Sequence, residues 1–249
     1  MKKNCLNICL LAALAFGGCS SESAEFPAGE GFGYVALDCG ASDETISRAA
    51  AAITVPEKSD FSLKIQGTDV DYEQSWTKFS DFVSADNRLA AGNYTASVAW
   101  GDLAQEGVNK PCYAGSQAFR IEAQRVTPAT VTAYLANAQV LVTFTQAFAD
   151  YFHDELFTLT SAAGNAFDFT AASEDTVFIA PGRFTVTGKA LTQNGAEVSF
   201  PEQSRNAEAR YRYTYKFDLS TAGKATVTIS LDDTVVEEVV IDTELNPES

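Results

Sequence analysis

A strict alternation of apolar and polar side chains constrains this chain more than any other feature. In residues 211–219 every second residue is aromatic or apolar, and the residues between them are polar. Successive side chains of a β-strand point to opposite faces, so this period of two predicts a strand with one buried face and one wet face. Similar segments recur along the chain, separated by Gly, Asn, Asp and Ser. They predict an all-β protein with antiparallel strands.

The carboxyl-terminal segments predict a β-hairpin, and helical patterns are scarce. Residues 225–231 and 234–241 are rich in β-branched side chains and are separated by Asp232-Asp233, which is typical of a turn. Residues 42–52 contain helix formers but few large apolar residues, and we interpret them as a loop. Residues 146–153 are predicted to form a short helix or a turn.

An internal repeat organises the chain. Residues 89–97 read LAAGNYTAS, and residues 179–187, which lie 90 positions later, read IAPGRFTVT. Each segment contains Gly, any residue, an aromatic residue and Thr, and continues as an alternating strand. Such a glycine can take backbone angles that other residues avoid, and the aromatic side chain then enters the core. We therefore expect Tyr94 and Phe184 at equivalent core positions.

Weaker similarities follow in the same order in both halves. The matched segments are residues 61–65 with 157–159 and residues 131–135 with 227–231. A repeat of about 90 residues is the size of one sandwich of about seven strands. We predict two tandem antiparallel β-sandwiches, of immunoglobulin-like or transthyretin-like type, at residues 31–136 and 137–249.

The amino terminus predicts a secreted protein. A positively charged start precedes an apolar run at residues 6–16, which is too short to span a bilayer as a helix, and small residues precede Cys19. Residues 1–18 are predicted to be a signal peptide and residues 19–30 a tether.

The sequence that ends at Cys19 resembles the lipobox of bacterial lipoproteins. This resemblance implies a diacylglycerol on the Cys19 thiol and a further acyl chain on its amino group. Two or more chains make membrane anchoring stable. An ordinary secretory signal is the alternative interpretation.

The charge of the chain excludes one class of partner. The formal net charge is -16, and it becomes -18 when cleavage before Cys19 removes two lysines and no acidic residue. Nucleic-acid binders cluster Lys and Arg on one surface, whereas the basic residues here are scattered and outnumbered. We expect no nucleic-acid partner.

Two cysteines remain in the predicted folded part. Cys39 and Cys112 both fall in the first predicted sandwich, and a disulfide between them would persist outside the cytoplasm. The alternative is a pair of buried thiols that behave as small apolar side chains, because a chain of this length does not need a covalent link to fold.

Residues that carry catalysis are scarce. His153 is the single histidine, so a catalytic triad or an ordinary zinc site would have to include it, and we interpret it as a solvent-facing residue on a turn. We predict no catalytic residue, no metal site and no cofactor; the acidic pairs at residues 232–233 and 237–238 are explained by a turn and a strand face rather than by calcium. Hydrolysis by two carboxylates stays open, because any two acids at a suitable distance suffice.

Trp76 and Tyr72 are the candidate ligand-binding residues. Both lie in a polar stretch, and an exposed aromatic ring beside polar groups can stack on a sugar. Burial in the core is the alternative for both rings, and it is the one that we favour for Trp76.

The chain resembles Bacteroidetes surface lipoproteins that carry a domain of unknown function, with a loose similarity to fimbrillin-type sandwich proteins. The motifs that carry this resemblance are LAAGNYT at residues 89–95, PCYAGS at 111–116 leading to Phe119, LANAQV at 135–140 and FADYF at 148–152. The resemblance implies a β-sandwich lipoprotein of the outer membrane or cell surface, and it implies no catalytic residue.

Two tripeptides resemble the Asp-Thr-apolar acceptor that this bacterial group uses for O-glycosylation. They place candidate acceptor hydroxyl groups on Thr176 and Thr234, both near predicted turns.

Taken together, these features predict a noncatalytic, lipid-anchored cell-surface protein that works in adhesion, surface assembly or ligand binding. A glycan or another surface protein is the expected partner. The alternative is a carboxylate-dependent hydrolase or an accessory protein of glycan processing.

Overall fold

The structure is a computed structural model. The described residues are 31–42, 55–173, 175–219, 225–231 and 234–241, with side chains described through residue 228. The predicted signal peptide, the tether with Cys19, the turn at residues 232–233 and most of the predicted loop at residues 42–52 lie outside these ranges. In the described ranges, no helix has the length and apolar character needed to cross a membrane.

The first half of the chain is built of strands and short 3₁₀ turns. The strands are β1 Phe32–Ala41, β2 Ser62–Gly67, β3 Glu73–Trp76, β4 Arg88–Ala90, β5 Gly92–Trp100, β6 Gly107–Val108, β7 Tyr113–Ile121 and β8 Val126–Leu135. The 3₁₀ turns are Lys58–Asp60, Phe79–Asp81 and Ser84–Asp86.

The second half adds one short helix to a further set of strands. The elements are β9 Ala138–Phe144, α1 Gln146–Tyr151, β10 Phe152–Thr160, β11 Ala166–Phe169, β12 Val177–Ile179, β13 Gly182–Thr192, β14 Glu197–Ala207, β15 Arg212–Leu219, β16 Ala225–Leu231 and β17 Thr234–Ile241. The Oγ1 of Thr145 accepts a 3.3 Å hydrogen bond from the backbone N–H of Phe148 and so caps α1. The predicted short helix is therefore confirmed.

Strands of the first half form a sheet that folds over on itself. Among the described residues its order is β3-β2-β5-β7-β8-β1-β4. Strands β7 and β8 pair through Tyr113 with Leu135 and Ala114 with Tyr134, close to one end of each strand. The sheet bends at this short contact into two layers, and apolar side chains of both layers, such as Leu63 from β2 and Val131 from β8, pack into one core.

The second half forms two sheets. In the described part of the chain their orders are β11-β10-β13-β14 and β17-β16-β15-β9-β12-β6. Strand β6 comes from the first half and pairs with β12 through Val108 with Val177 and Gly107 with Phe178. In return, the buried side chain of Phe178 packs into the core of the first half. The two halves thus exchange one strand and one core side chain.

The internal repeat is visible in the topology. Strand order β3-β2-β5-β7 in the first half matches β11-β10-β13-β14 in the second. In each half the first strand pairs with a strand near the end of that half, β1 with β8 and β9 with β15, and both of these pairs are parallel. The predicted all-β sandwich architecture is confirmed. The other strand pairs are antiparallel, as expected, but these two are not, because alternation reports which face is buried and not the direction of the neighbouring strand.

One pair of matched segments does not occupy equivalent strands, so this part of the predicted repeat is wrong. Residues 131–135 belong to β8, whose topological equivalent is β15, whereas residues 227–231 belong to β16. Strand β16 pairs with β15 on the side away from β9 and forms a hairpin with β17. Alternating strands resemble one another in sequence, so the pattern alone could not tell the repeated strand from the added hairpin.

Tyr94 and Phe184 occupy equivalent core positions, as predicted. Each lies two residues after the glycine that begins its strand, β5 or β13, and each is 1 % exposed. The glycines are required for different reasons. Gly182 has a φ of +144°, which disfavours a side chain, whereas a Cβ atom at Gly92 would lie 2.6 Å from the Val70 side chain.

Candidate functional site

Cys39 and Cys112 are free thiols, and both are buried. Cys39 lies opposite Val131 of β8, whereas the carbonyl of Cys112 accepts a 2.6 Å hydrogen bond from the N–H of Ala136, which follows β8. Five residues of extended strand separate these two levels, or roughly 16 Å, while a disulfide needs Cα atoms within about 7 Å. The structure therefore has the alternative arrangement of two buried thiols, and no disulfide joins them.

The environment of both thiols disfavours the reactive thiolate. Burial raises the pKa of the Cys39 thiol to about 11, and it also raises the pKa of Cys112. The Sγ of Cys39 faces the carbonyl oxygen of Lys58 at 3.9 Å. Neither cysteine has the setting of a nucleophile.

Trp76 and Tyr72 lie at the open edge of the first sandwich, on the side of the sheet that faces the core. Trp76 is half-buried and lies edge-on to Phe82, with ring centroids 5.2 Å apart. Tyr72 packs in the same way on Tyr94 at 5.8 Å, and its hydroxyl donates a 2.9 Å hydrogen bond to Gln74. Both rings are thus partly used in packing, and part of each stays accessible.

His153 faces solvent, as predicted, but it lies in a strand and not on a turn. His153 is exposed at the start of β10, where it pairs in register with Leu191. The hydroxyl of Ser161, which could serve as a nucleophile, instead donates a hydrogen bond to Glu106. Within the ranges that the structure describes, no three His, Cys, Asp or Glu side chains are grouped so as to hold a metal ion.

Among the residues that the structure describes, two carboxyl groups have a displaced pKa, and both displacements are downward. The side-chain hydrogen bond from Lys58 is the main cause of the lowered pKa of Asp38. The pKa of Asp69 is lowered mainly by the backbone N–H of Asn93, which donates a 2.6 Å hydrogen bond to the Asp69 carboxylate. A general acid at neutral pH needs a raised pKa, so neither group suits that role.

The outer face of β3-β2-β5-β7 carries a groove of about 580 Å³. The polar side chains that line it are Ser62, Lys64, Ser75, Ser97 and Ser116, and Ala99 and Ala114 form its flat floor. Backbone register places four of these side chains in a single row across the four strands, in the order Ser75, Lys64, Ser97 and Ser116. Rows of short side chains leave the sheet surface open, which forms the groove.

The groove presents hydrogen-bonding groups and little net charge. The ammonium group of Lys64 forms a 3.1 Å ion pair with Glu73, and the hydroxyl of Ser62 donates a 2.9 Å hydrogen bond to the Ala99 carbonyl. The other serine hydroxyl groups point outward from exposed or half-buried positions. Such a surface can bind a hydroxylated ligand by hydrogen bonds, but it holds no acid pair for proton transfer.

Sequence reasoning missed this groove, although a signal was present. Residues 95–99 and 114–118 place only small side chains at their outward positions. Aromatic residues are the usual indicator of a sugar site, and they point instead to Trp76 and Tyr72, which lie on the opposite face of the sheet.

Of the two candidate O-glycosylation residues, the structure describes the side chain of Thr176 but not that of Thr234. Thr176 is half-buried, between the exposed Asp175 and the first residue of β12, and its position in a short loop agrees with the predicted turn. Thr234 begins β17, but its side chain lies outside the described residues.

Residues 31–247 match the family described as a domain of unknown function, DUF4493. The chain belongs to the DUF4493 family. This match covers every described element of both halves, so the two halves together form the family domain. No curated protein matches this DUF4493 chain significantly.

Solved structures with a distant similarity to the DUF4493 chain come from species of Bacteroides and Porphyromonas. One is a candidate cell adhesion protein from Bacteroides ovatus ATCC 8483, with 10% identity, 82% of this chain and 98% of that chain covered, and a TM-score of 0.44. A second is a candidate polysaccharide-binding protein from Bacteroides thetaiotaomicron VPI-5482, with 10% identity, coverage of 85% and 99%, and a TM-score of 0.45. The fimbrial anchor protein Mfa2 from Porphyromonas gingivalis has 8% identity, coverage of 83% and 100%, and a TM-score of 0.43.

Proposed function

We propose that this DUF4493 chain is a noncatalytic protein of the bacterial cell surface, held in the outer membrane by lipid on Cys19, and that it binds a glycan or a surface protein in adhesion or surface assembly. The proposed location and lipid anchor are supported by the charged start, the short apolar run and the small residues before Cys19. The binding role is supported by the surface of the folded part.

The composition of the groove is the observation that carries this proposal. Serine hydroxyl groups from β2, β3, β5 and β7 line it, and its one ammonium group, on Lys64, is paired with Glu73. Hydroxyl groups both donate and accept hydrogen bonds, which is the chemistry that matches the hydroxyl groups of a neutral sugar. A neutral glycan is the ligand class that fits best.

The chain offers two candidate surfaces for such a ligand. The groove lies on the outer face of the sheet, and the rings of Trp76 and Tyr72 lie at the edge of the inner face. A ligand in the groove would depend on hydrogen bonds, whereas one at the edge would depend on stacking. Substitutions on the two faces therefore separate them.

A glycan panel scored for both retention and product release tests the proposal. We expect the full-length protein in detergent to show saturable retention of at least one neutral glycan with no product. Combined Ser97→Val and Ser116→Val substitutions should weaken retention roughly fivefold to hundredfold, because each lost hydrogen bond contributes about 0.5 to 1.5 kcal/mol.

The matched control is Thr130→Val with Thr132→Val, which removes two exposed hydroxyl groups from β8 in the other layer of the same half. It should leave retention unchanged. Trp76→Ala assigns the ligand to the sheet edge if it abolishes retention while the serine substitutions do not. Reproducible product formation that disappears on replacing one acidic residue in a folded variant would overturn the proposal in favour of the hydrolase alternative.

A further inference from the structure

A carboxylate from the first half of the chain is bound by three donors from the second half. The Oε1 of Glu106 accepts a 2.8 Å hydrogen bond from the backbone N–H of Ala180, and Oε2 accepts one of 2.8 Å from the Nδ2 of Asn165. The hydroxyl of Ser161 also donates to Oε2. Hydrogen bonds to an ionised acceptor are roughly twice as strong as those between neutral groups.

The three donors belong to fixed parts of the second sandwich. Ser161 directly follows β10 and is 5 % exposed, and its backbone N–H donates to the carbonyl of Asn165 at 2.9 Å, which closes a turn. Ala180 directly follows β12. The backbone positions of all three donor residues are therefore set by this half of the chain.

Glu106 lies on a strap, residues 101–112, that connects β5 to β7 and reaches across to the second half. Asp102 shapes its first turn, because its side chain accepts a 3.0 Å hydrogen bond from the N–H of Ala104 and its carbonyl accepts one of 3.0 Å from Gln105. Directly after Glu106, β6 pairs with β12, starting from Gly107 with a φ of +140°. The strap thus places a carboxylate and a two-residue strand on the second half together.

The corresponding turn of the first half has its own carboxylate. There the N–H of Gly67 donates to the carbonyl of Tyr72 at 2.8 Å, as Ser161 does to Asn165, and Asp69 within the turn binds the N–H of Asn93. The turn of the second half contains only Ala-Ala-Gly at residues 162–164. Glu106 brings a carboxylate to this turn from the other half, but it binds the N–H of Ala180 and not that of Arg183, the residue that corresponds to Asn93.

We infer that Ser161, Asn165 and the N–H of Ala180 form a carboxylate-binding site, and that Glu106 occupies it as a releasable latch for the strap. When Glu106 leaves, the strap loses these three hydrogen bonds, β6 separates from β12, and the hydrogen-bonding edge of β12 is uncovered. The site then accepts another carboxylate from solution. This inference concerns a different surface from the groove and does not depend on the proposed function.

Hydrogen exchange of the full-length protein in detergent tests the latch. We expect Glu106→Ala to accelerate exchange in the strap and at residues 177–179 by about tenfold to hundredfold, because the lost hydrogen bonds involve a charged group. Exchange in β5 should not change. Glu122→Ala is the matched control, because the carboxylate of Glu122 makes an exposed 3.0 Å ion pair with Arg125 outside this site. In this variant the strap should exchange at the same rate as in the unsubstituted protein.

Rescue by a small carboxylate tests the binding site itself. Sodium acetate should slow exchange at residues 177–179 in Glu106→Ala, relative to sodium chloride at equal ionic strength, and should have no effect when Ser161→Ala is added. Equal exchange in Glu106→Ala and the unsubstituted protein would overturn the latch, and equal effects of acetate and chloride would overturn the site. If Glu106→Ala does not fold, the test uses Ser161→Ala alone. Faster hydrogen exchange confined to the strap and residues 177–179 then supports the latch. Uniformly faster exchange in all strands contradicts it.

Discussion

Asn137 and Cys112 are joined by a 2.6 Å hydrogen bond from the backbone N–H of Cys112 to the side-chain Oδ1 of Asn137. The Nδ2 of Asn137 donates to the carbonyl of Lys110 at 3.1 Å, and its own carbonyl accepts from the N–H of Arg210 at 2.9 Å. Asn137 is fully buried between β8 and β9. Asn137 thus connects the end of the strap, through its side-chain amide, with the turn before β15, through its backbone carbonyl.

Removing the side chain of Asn137 should destabilise the protein strongly. Asn137→Ala leaves the buried N–H of Cys112 and the carbonyl of Lys110 without their partner, at a cost of about 2 to 4 kcal/mol in the free energy of unfolding. Urea unfolding followed by circular dichroism measures this loss. The control is Asn87→Ala, whose side chain bonds the nearby carbonyl of Val83 in a more exposed turn; equal losses for the two variants would contradict the role of Asn137.

Truncation of either repeated aromatic residue should be costly. Tyr94→Ala and Phe184→Ala each remove a side chain that is 1 % exposed, and we expect losses of about 3 to 5 kcal/mol. Tyr94→Phe keeps the ring and loses only the 2.8 Å hydrogen bond from its hydroxyl to the Ala90 carbonyl, so it should cost about 1 kcal/mol. A Tyr94→Ala variant as stable as Tyr94→Phe would contradict the core position.

The Cys39 thiol should make stability depend on pH in alkaline solution. Burial raises its pKa to about 11 in the folded protein, above its ordinary value of 9.0. As the pH rises, the thiol therefore ionises first in the unfolded chain, which stabilises the unfolded state and lowers the free energy of unfolding. The contribution of Cys39 is fully present below pH 9 and is lost as the pH approaches 11. Unfolding curves across this window should converge for the unsubstituted protein and Cys39→Ala, whereas a constant difference between them would rule out the titration.

The same burial should protect Cys39 from alkylating reagents. At neutral pH the folded protein should react with iodoacetamide far more slowly than the unfolded chain, because the thiolate is the nucleophile. Mass spectrometry after timed labelling measures both rates, and rapid labelling of Cys39 in the folded state would contradict its burial.

Lipid anchoring should depend on Cys19. In detergent phase separation, the protein expressed in a bacterial host that acylates lipoproteins should enter the detergent phase, and Cys19→Ala should remain in the aqueous phase. Cys39→Ala serves as the matched cysteine control and should behave as the unsubstituted protein does. Equal partitioning of Cys19→Ala and the unsubstituted protein would refute the anchor.

The O-glycosylation proposal is tested by intact mass. Protein isolated from a Bacteroidetes host should be heavier than its peptide mass, and Thr176→Ala and Thr234→Ala should each remove one glycan. Thr130→Ala, on an exposed strand position without the Asp-Thr-apolar pattern, is the control. An unchanged mass for both acceptor variants would exclude these sites.

Local sequence patterns are sufficient to predict many of the strands and their buried faces. The alternation in residues 211–219 predicts β15, and the structure buries Tyr213, Tyr215 and Phe217 while their neighbours face outward or lie at intermediate depth. The Gly-X-aromatic-Thr repeat also identified Tyr94 and Phe184 as core residues. These properties are local, because a period of two sets the face of every side chain in a strand wherever that strand pairs.

The identity of neighbouring strands and the contacts between polar groups follow from the folded chain and not from local patterns. Backbone hydrogen bonds are the same for every sequence, so nothing in the pattern shows that β1 lies parallel to β8, or that β6 leaves its own half to pair with β12. The separation of Cys39 from Cys112 and the contact of Glu106 with Ala180 follow from these pairings. Such contacts join residues far apart in the chain, and their partners are chosen by how the two sandwiches close around their cores rather than by the local sequence on either side.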